Sequence, residues 1–554
     1  MENISQKLIS EVAYNLLSNA AMRYPKNFLE KLLDSLKSET NQASKGVIIS
    51  IIQNILFAAE ESASLCQDTG VPVFHVYLNP SIAVKGDIKE ALTEATIRAT
   101  DEVPIRKNVI DPFSFQNKGN NTGWGVPFVY FHYSPKPGPM GIRAELKGFG
   151  GEAKSTADWV LTSTEGMENA VLAYVLNNVL LSKGEGCMPG FLGVGVGGYV
   201  SEATFNAKNA VFRELMEKIS ENTGDNAESN STHGLEQRIF RCVNSLGIGP
   251  MGDGGKTTTL GVYLEKRGTH TAVAPVAVSQ QCWASRVSVG LIGENRAEYL
   301  TPHLQKEEVP AIREVLSNEL SSSAVSGNVY ELTTPLKPED LLKLRVRDVV
   351  YLNGTICTSR DRAHRRMIEK IQEGKRQEIP EEILDNGVIF HCGPVIAKEA
   401  NGWRINAAGP TSSSRFTTDE AFLVKNGVIK VAIGKGTMGV AMVNALKGRG
   451  VYLEAVGGCA VAYKRMIKQN RVKWLELGYP EAVWIFEVSH FGPLVVGIDS
   501  LGNSLTSNIM EDVYENARQI YRQEGLDPNK RYIQYPQTLA GHSLEEVIEK
   551  AKNS

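Results

Sequence analysis

The residues with the clearest chemical potential are three cysteines that lie far apart in the chain: Cys66 in Cys-Gln-Asp-Thr-Gly, Cys187 in Cys-Met-Pro-Gly and Cys282 in Cys-Trp-Ala-Ser-Arg. Their wide separation argues against a structural zinc site, whose ligands come in closely spaced pairs. Three thiolates that converge from distant loops suit a cubane iron–sulfur cluster in which one iron has no protein ligand. Such an iron can act as a Lewis acid on a substrate. Most unpaired cysteines are simple packing residues, so their neighbours must decide.

Those neighbours include groups that move protons and bind anions. Asp68 lies two residues beyond Cys66, where a carboxyl group can donate or accept a proton, although an isolated aspartate is usually a cap or turn residue. Arg106 and Arg415 lie in predicted loops, and a guanidinium binds a carboxylate through two parallel hydrogen bonds. A dicarboxylic acid would need such a group at both ends.

Two glycine- and lysine-bearing loops have the composition of anion sites. Gly434-Lys435-Gly436 follows a predicted strand, and Lys147–Lys154 reads Lys-Gly-Phe-Gly-Gly-Glu-Ala-Lys. Flexible turns of this kind bring backbone N–H groups and a cation to an anion.

Length and composition are those of an ordinary soluble globular protein. Its 554 residues predict two or three domains, and the net charge of −3 gives no indication of a nucleic-acid or membrane partner. The seven cysteines show no close pairing pattern, which favours a reducing compartment. The N-terminus does not resemble a signal peptide, and we see no apolar run of ~18 residues. We therefore expect a soluble, cytoplasmic protein.

The first 65 residues predict helices, because Phe28, Leu32 and Leu36 form an apolar stripe at a spacing of four. This places Cys66 at a transition from helix to loop. Asp87 predicts the start of another helix, which runs to about residue 101. Alternating apolar residues predict strands at 126–133 and 142–146.

A serine-rich stretch at 317–328 is the clearest domain boundary. Beyond it the pattern changes to strands and turns. We predict a first domain at 1–320, a second at 330–523, and a polar tail at 524–554 that ends in a short helix at 543–552. The predicted strands of the second domain are 349–358, 387–390, 428–433, 451–456 and 483–488.

Two glycine motifs resemble nucleotide-binding signatures without meeting their requirements. Gly193–Gly198 fits G-x-G-x-x-G, but the preceding residues are polar, so we expect a glycine-rich turn near the Cys187 loop. Gly254–Thr257 resembles the end of a phosphate-binding loop whose first glycine is replaced by Pro250. We expect a close-packed loop beside the active site there.

Taken together, the motifs closely resemble the iron–sulfur hydro-lyases of the class I fumarase and L-tartrate dehydratase group, over about residues 5–520. In relatives the two parts are separate subunits or one fused chain, and the serine-rich stretch would mark the junction. The motifs are Cys66–Gly70, Asn121–Pro127, Leu246–Pro250, Cys282–Ala284, Thr358–Arg366, Gly409–Thr411, Gly434–Gly436 and Phe491–Pro493.

The resemblance implies a mixed α/β (α+β) fold of two domains: an N-terminal cluster-binding domain and a smaller, β-rich, swivelling C-terminal α/β domain. It also implies a homodimer and a [4Fe–4S] cluster held by Cys66, Cys187 and Cys282. The remaining cysteines match no ligand position. The implied substrate-binding positions are Gln67, Asp68, Arg106, Gly148, Arg415, Gly434, Lys435 and Gly436.

One departure from the family pattern affects the substrate more than the reaction class. Single-chain fumarases carry Thr-Lys-Gly-Asn-Arg where this chain has Gly434-Lys-Gly-Thr-Met438. The threonine proposed there as general base and one carboxylate-binding arginine are therefore missing. The Gly-Lys-Gly-x-Met form resembles the two-subunit relatives, and Thr437 is a candidate for a displaced catalytic hydroxyl. Phe149 also replaces a glycine in the anion loop.

The leading hypothesis is reversible dehydration of (S)-malate to fumarate in the tricarboxylic acid cycle. Arg106 and Arg415 would hold the carboxylates, a base near Gly434 would remove the C3 proton, and Asp68 would protonate the departing hydroxide. L-tartrate and mesaconate-type diacids are the alternative substrates. A redox or sensing iron–sulfur protein is the alternative from a different class, and it would favour full cysteine ligation.

Overall fold

The computed structural model describes residues 2–162, 166–216, 219, 232–294, 296–321, 327–400, 402–532 and 543–553. The chain forms mixed helices and sheets of the α/β class, as the sequence predicts. Most of the polar segment 221–234, and residues 322–326 of the serine-rich boundary, lie outside the described residues.

Three helices open the chain: α1 (Gln6–Met22), α2 (Lys26–Ser38) and α3 (Gln42–Glu61). The side chains of Ser5 and Asn41 accept hydrogen bonds from the first turns of α1 and α3, which satisfies backbone donors that would otherwise lack partners. The predicted stripe on α2 is buried in the core. Helix α3 is long and apolar enough to cross a membrane, but 56% of the relevant window is buried inside the protein, as in a core helix.

A mixed five-stranded sheet in the order β11-β10-β5-β2-β4 follows. Asp87 caps α4 (Ile88–Glu102), as predicted. Both predicted strands form, as β4 and β5. Strand β4 pairs with β2 in parallel orientation, and β5 pairs with β2 in antiparallel orientation. The strands are β2 (Val71–Leu78), β4 (Phe128–Tyr133), β5 (Met140–Lys147), β10 (Val287–Ile292) and β11 (Ala297–Tyr299). A small sheet pairs β1 (Glu2–Ser5) with β3 (Ile82–Lys85).

A four-stranded sheet in the order β6-β9-β7-β8 completes the N-terminal part. Its strands are β6 (Thr156–Leu161), β7 (Gly190–Val196), β8 (Thr259–Lys266) and β9 (Val273–Gln281). The helices beside it are α5 (Phe149–Glu152), α6 (Met167–Ser182), α7 (Val200–Ala210) and α8 (His233–Ser245), and α9 (Val309–Ser321) packs on α3.

The expectation of a glycine-rich turn at Gly193–Gly198 is wrong for its first part, because Gly193 and Gly195 lie inside β7. A Cβ at either position would overlap backbone carbonyl oxygens of α7. Glycine is needed there so that the helix can approach the strand closely.

The C-terminal part is built on seven strands in the order β12-β13-β14-β17-β18-β20-β19. Strand β20 is 16 residues long and pairs with both β18 and β13, which closes five of the strands into a ring. The strands are β12 (Val329–Thr333), β13 (Val349–Thr358), β14 (Val388–Phe390), β17 (Val431–Gly434), β18 (Val451–Glu454), β19 (Ile467–Lys473) and β20 (Val483–Ile498).

Helices cover this ring, and a hairpin of β15 (Val395–Glu399) and β16 (Gly402–Ala407) lies beside it. The helices are α10 (Pro338–Leu342), α11 (Asp361–Gln372), α12 (Glu381–Asn386), α13 (Thr417–Lys425), α14 (Val440–Leu446) and α15 (Ala460–Arg465). Helix α16 (Leu505–Gln523) and the tail helix α17 (Leu544–Asn553) join the apolar core that also contains α6 and α8. The end of the chain therefore packs on the N-terminal part.

Candidate active site

The loops that carry Cys187 and Cys282 meet because β7 and β9 are antiparallel neighbours. Phe191 of β7 pairs with Gln281 of β9, so the residues before β7 and after β9 lie at the same sheet edge. The backbone N–H of Trp283 donates to the carbonyl of Cys187 at 3.2 Å. Cys187 itself has a φ of +61°, a strained conformation of the kind found at functional sites.

Two cations face the thiols. The Nζ of Lys435 lies 2.6 Å from the Sγ of Cys187, and the charge of Arg286 acts on all three cysteines. Nη1 of Arg286 is buried without a hydrogen-bond partner. Burial raises the pKa of the Cys66 thiol and raises that of Cys282 to about 11, while Arg286 opposes both shifts.

This donor set fits an anionic, thiolate-ligated cluster. Three thiols converge, the neighbouring cations can balance the charge of thiolates, and the orphaned guanidinium nitrogen points to a missing anionic partner. The thiols are not among the described side chains whose ligand atoms lie within 4.8 Å of one another. They are therefore spread more widely than a single bound ion requires.

We call the site formed by Cys66, Cys187 and Cys282 the thiol seat. Asp68 lies beside it in a setting that favours the ionised form of its carboxyl group. Its carboxylate accepts from Nη2 of Arg106 at 3.0 Å and from the backbone N–H of Phe149 at 2.9 Å. Burial would raise the pKa of Asp68, but the charges of Arg106 and Arg286 and the Phe149 hydrogen bond outweigh it, so the pKa is lowered. Asp68, Phe149 and Arg286 meet because β2, β5 and β10 are neighbours, which brings their ends to one edge.

Gln67 connects the cysteine loop to the C-terminal part. Its Oε1 accepts from the backbone N–H of Gly409 at 3.0 Å and from Sγ of Cys392 at 3.3 Å, and its Nε2 donates to Oγ1 of Thr411 at 3.2 Å. Gln67 is almost fully buried. The side chain of Gln67 therefore joins the two halves of the site, in addition to lining the space where a ligand would bind.

Glu185, two residues before Cys187, forms a second bridge. Its carboxylate accepts from Nζ of Lys154 at 2.5 Å, from Oγ1 of Thr437 at 2.9 Å and from Oγ of Ser414 at 3.3 Å. The predicted hydroxyl of Thr437 thus lies against a carboxylate, which is the arrangement that increases the basicity of a hydroxyl group.

The C-terminal groups come together at the carboxyl ends of parallel strands, where ligands commonly bind. Strands β13, β14 and β17 are parallel neighbours, and Arg360, His391 and Lys435 follow them. Arg415 lies nearby but is 42% exposed and forms two hydrogen bonds of 3.1 Å with Asp361.

Arg360 is a stronger candidate than Arg415 for the second carboxylate. Its side chain is only 17% exposed, and its contacts with Glu481 and Asp361 are longer, at 3.4 and 3.9 Å. The sequence motif Thr358–Arg366 contained Arg360, but nothing in the motif distinguished it from the other arginines there.

These side chains line one open cleft of about 810 Å³ between the two parts of the chain. Trp124, Phe128 and Phe149 form an aromatic rim. Two carboxylates, Asp68 and Glu185, face the cleft. The cations outnumber them, and they are Arg106, Lys154, Arg360, Arg415 and Lys435. The cleft is therefore suited to a small dianion.

The predicted glycines act through the space they leave. A Cβ at Gly148 would overlap Arg286 and lie 3.4 Å from Oδ2 of Asp68, and one at Gly436 would lie 3.2 Å from Glu185. Gly434 is buried behind the cleft wall.

Sequence reasoning did not single out Arg286, Arg360 or Glu185, whereas Lys154 belongs to the predicted anion loop Lys147–Lys154. The sequence could have indicated Arg286, because it is the last residue of the Cys282 motif. The individual roles assigned to the predicted site residues remain predictions.

A cationic cleft beside three convergent thiols, between two α/β parts, has the features of an enzyme site for small anions. The chain belongs to the fumarate hydratase family. The family model described as fumarate hydratase (fumerase) matches residues 10–290, and the one described as fumarase C-terminus matches residues 300–509. The fused arrangement that the resemblance implies is thereby confirmed, and the enzyme is a hydro-lyase.

Relatives of both kinds are similar to this chain. A putative fumarate hydratase class I of Geobacillus stearothermophilus is 34% identical over 92% of this chain and 98% of its own length. A putative L(+)-tartrate dehydratase subunit alpha of Methanocaldococcus jannaschii is 35% identical over 51% of this chain and 96% of its own. The L(+)-tartrate dehydratase subunit beta of Escherichia coli is 40% identical over 31% of this chain and 85% of its own.

Proposed function

We propose that the protein is a class I fumarate hydratase that interconverts fumarate and (S)-malate with a [4Fe–4S] cluster held by Cys66, Cys187 and Cys282. The observation that carries the proposal is the cleft that Cys66, Asp68 and a surplus of cations line, with Cys187 in contact with Lys435 of the cleft wall. When bound, a cluster with one iron free of protein ligands supplies Lewis-acid chemistry at the leaving hydroxyl.

The cations hold the diacid. Arg106 lies on the N-terminal side and Arg360 on the C-terminal side, so a dicarboxylate would be held at both ends by planar guanidinium groups. Arg415, at the exposed mouth, would first have to leave Asp361. The same charges stabilise the negative charge that develops on the substrate carboxylate when the C3 proton leaves.

Two carboxylates can move protons. Asp68 is ionised, so in the hydration direction it can accept the proton of water. In the dehydration direction it must first take up a proton from solvent, which it then gives to the leaving hydroxide. On the opposite side, Thr437 and Glu185 form the hydrogen-bonded pair that we assign to the C3 proton.

Substrate preference tests the proposal. Anaerobically prepared enzyme should turn over malate and fumarate with a larger kcat/KM than L-tartrate or mesaconate. A preference for tartrate by tenfold or more would replace this assignment within the same reaction class. No turnover of any of these diacids would refute the proposal.

L(+)-tartrate dehydratase is the second candidate. It is supported by the similarity of the C-terminal half to a tartrate dehydratase subunit and by three hydroxyl-bearing residues on the cleft wall, Thr411, Ser412 and Ser414. Hydroxyl groups at that wall could accept the second hydroxyl of tartrate.

The cluster can be tested separately. An iron without a thiolate ligand is exposed to oxidants, so activity should fall in air and return with ferrous iron and thiol. Electron paramagnetic resonance of the reduced protein should change when malate is added. A spectrum indifferent to substrate would support the redox or sensing alternative.

We further propose a cytoplasmic homodimer. All seven cysteines are free, which accords with a reducing compartment. Strand β4 lies at a sheet edge and exposes Phe128, Tyr130, Phe131 and Tyr133, and an apolar edge of this kind supports association with a second copy. Sedimentation equilibrium of the wild type and of Phe131→Arg tests this, with a monomeric wild type as the refuting result.

A further inference from the structure

A buried polar network lies behind the C-terminal wall of the cleft. Oε1 of Glu420 on α13 lies 3.0 Å from Nε2 of His364 and 2.6 Å from Nε2 of His391. All three side chains are fully buried. Burial opposes ionisation of Glu420, but His391 and His364 together lower its pKa to about 2. The network is therefore centred on a carboxylate.

The geometry favours direct hydrogen bonds over a bound metal ion. The ligand atoms of Glu420, His364 and His391 lie within 4.8 Å of one another. An ion about 2 Å from each would hold a nitrogen and an oxygen roughly 3 Å or more apart. The 2.6 Å between His391 and Glu420 is instead typical of a charge-assisted hydrogen bond.

The network reaches the loops that line the cleft. Nδ1 of His391 lies 2.8 Å from Oγ of Ser413, whose backbone N–H donates to the carbonyl of Lys435 at 3.1 Å. The hydroxyl of Tyr452 lies 3.0 Å from the same Oγ and donates to the carbonyl of Gly436 at 2.8 Å. Ser413 thus connects Glu420 to the loop that carries the Lys435 ammonium.

Ser413 and His391 also fill the space of a side chain at position 434. A Cβ added to Gly434 would overlap Oγ of Ser413, would lie 2.5 Å from Nδ1 of His391 and would lie 3.2 Å from Cβ of Ser413. A side chain at 434 and the Ser413 hydroxyl therefore exclude each other in this packing.

We propose that Ser413 is a positioning residue for the Gly434–Gly436 loop, held by His391 and Glu420, and that its hydroxyl takes the place of a side chain at 434. The inference rests on the proposed function for its catalytic consequence, since Lys435 lies at the thiol seat. Its steric part, the mutual exclusion of the two side chains, does not depend on the reaction.

Exchange of the two residues tests the proposal. Ser413→Gly should lower kcat for malate roughly 10- to 100-fold with KM changed less than threefold, because it displaces Lys435 and leaves the arginines in place. Gly434→Ser should also lower kcat, through overlap with Ser413. The double variant Ser413→Gly/Gly434→Ser should exceed Gly434→Ser in kcat by at least tenfold. Thr418→Ala, an exposed hydroxyl on the same helix as Glu420, is the matched control and should behave as wild type.

The wild type, the two single variants and the double variant also form a double-mutant cycle in the free energy of unfolding. The double variant should be more stable than the sum of the single losses predicts, and this result stands even if neither malate nor tartrate is a substrate. Additive losses of both kcat and stability would overturn the proposal. So would a Ser413→Gly enzyme that matches Thr418→Ala, or a stoichiometric ion that Glu420→Gln loses while the cluster iron is retained.

Discussion

At the scale of single residues, the site is organised by ion pairs that set which groups are free to act. Asp68 is held ionised by Arg106, with further stabilisation from Arg286 and Phe149. Arg415 is paired bidentately with Asp361, whereas Arg360 has only longer ion-pair contacts. The distances and number of a side chain's ion-pair contacts, more than its residue type, therefore determine whether it can move protons or bind an anion.

Replacement of Asp68 with Asn should lower kcat for malate by roughly 10²- to 10⁴-fold, because proton transfer is lost while the size of the side chain is kept. Stopped assays on anaerobic enzyme measure this, with iron content as a check on the cluster. Asp111→Asn in an exposed turn is the control. Near-normal turnover of the Asp68 variant would remove it from the mechanism.

The two arginines of the C-terminal part should differ in their effect on substrate binding. Arg360→Ala should raise KM for malate on the order of 10- to 100-fold, since a hydrogen-bonded charge contributes about 1.5–3 kcal/mol. Arg415→Ala should raise KM less, because its guanidinium is already paired with Asp361. Initial-rate kinetics of both variants decide, and the reverse order would restore Arg415 as the carboxylate-binding residue.

At the scale of elements, the site exists because loops leave sheets at shared edges. Strands β7 and β9 deliver Cys187 and Cys282, and strands β13, β14 and β17 deliver Arg360, His391 and Lys435. The loop after β18 approaches closely as well. A Cβ at Gly457 would lie 3.0 Å from Sγ of Cys187 and 2.9 Å from Cδ of Lys435.

Gly457→Ala should therefore disturb the thiol seat. We expect iron and acid-labile sulfide per chain to fall by about half or more, because neither contact can relax without moving Cys187 or Lys435. The matched control is Gly46→Ala on α3, where a Cβ meets nothing within 4 Å and should stabilise the helix by roughly 0.5–1 kcal/mol. Full iron content in Gly457→Ala would show that the seat tolerates the added methyl group.

At the scale of the whole molecule, buried polar contacts join the two parts of the chain. Gln67 and Glu185 reach across beside the cleft, and Asp253 and Glu454 form a third contact away from it. Burial raises the pKa of Asp253 to about 6 and raises that of Glu454, which the neighbouring Asp253 carboxyl raises further. This acid pair shares a proton in the folded protein.

The acid pair predicts a pH-dependent stability. The folded protein keeps protons that the unfolded chain releases near pH 4, so the pair's contribution is fully present below about pH 4 and is lost as pH rises. The loss occurs through about pH 6 for Asp253 and continues up to the raised pKa of Glu454. Glu454→Gln, which cannot ionise, should match wild type near pH 5 and have the higher melting temperature at pH 7 to 8. Thermal unfolding at several pH values measures this. Asp512→Asn, at an exposed position of α16, is the control and should have the melting temperature of wild type at every pH. A difference in melting temperature between Glu454→Gln and wild type that stays constant with pH would contradict the assignment.

Local patterns predicted much of the fold. The stripe on α2, the cap at Asp87 and the strand at 349–358 all form as expected, because helix periodicity, capping and β-propensity depend on neighbours in the chain. Gly193 and Gly195 escaped the same reasoning, since the need for glycine there comes from α7 packing against β7. The domain limits at 320 and 330 remain a prediction beside family-model limits of 290 and 300.

The sequence by itself determined the reaction class, because the cysteine motifs and the glycine-bearing loops are local runs that keep their identity wherever the chain takes them. Only the tertiary structure decided which arginine is paired and which is available, and that Ser413, His391 and Glu420 stand behind Gly434. Those facts depend on contacts between segments remote in the chain. Strand pairing and burial create such contacts, and because the partners are buried, their charges interact more strongly than they would in water.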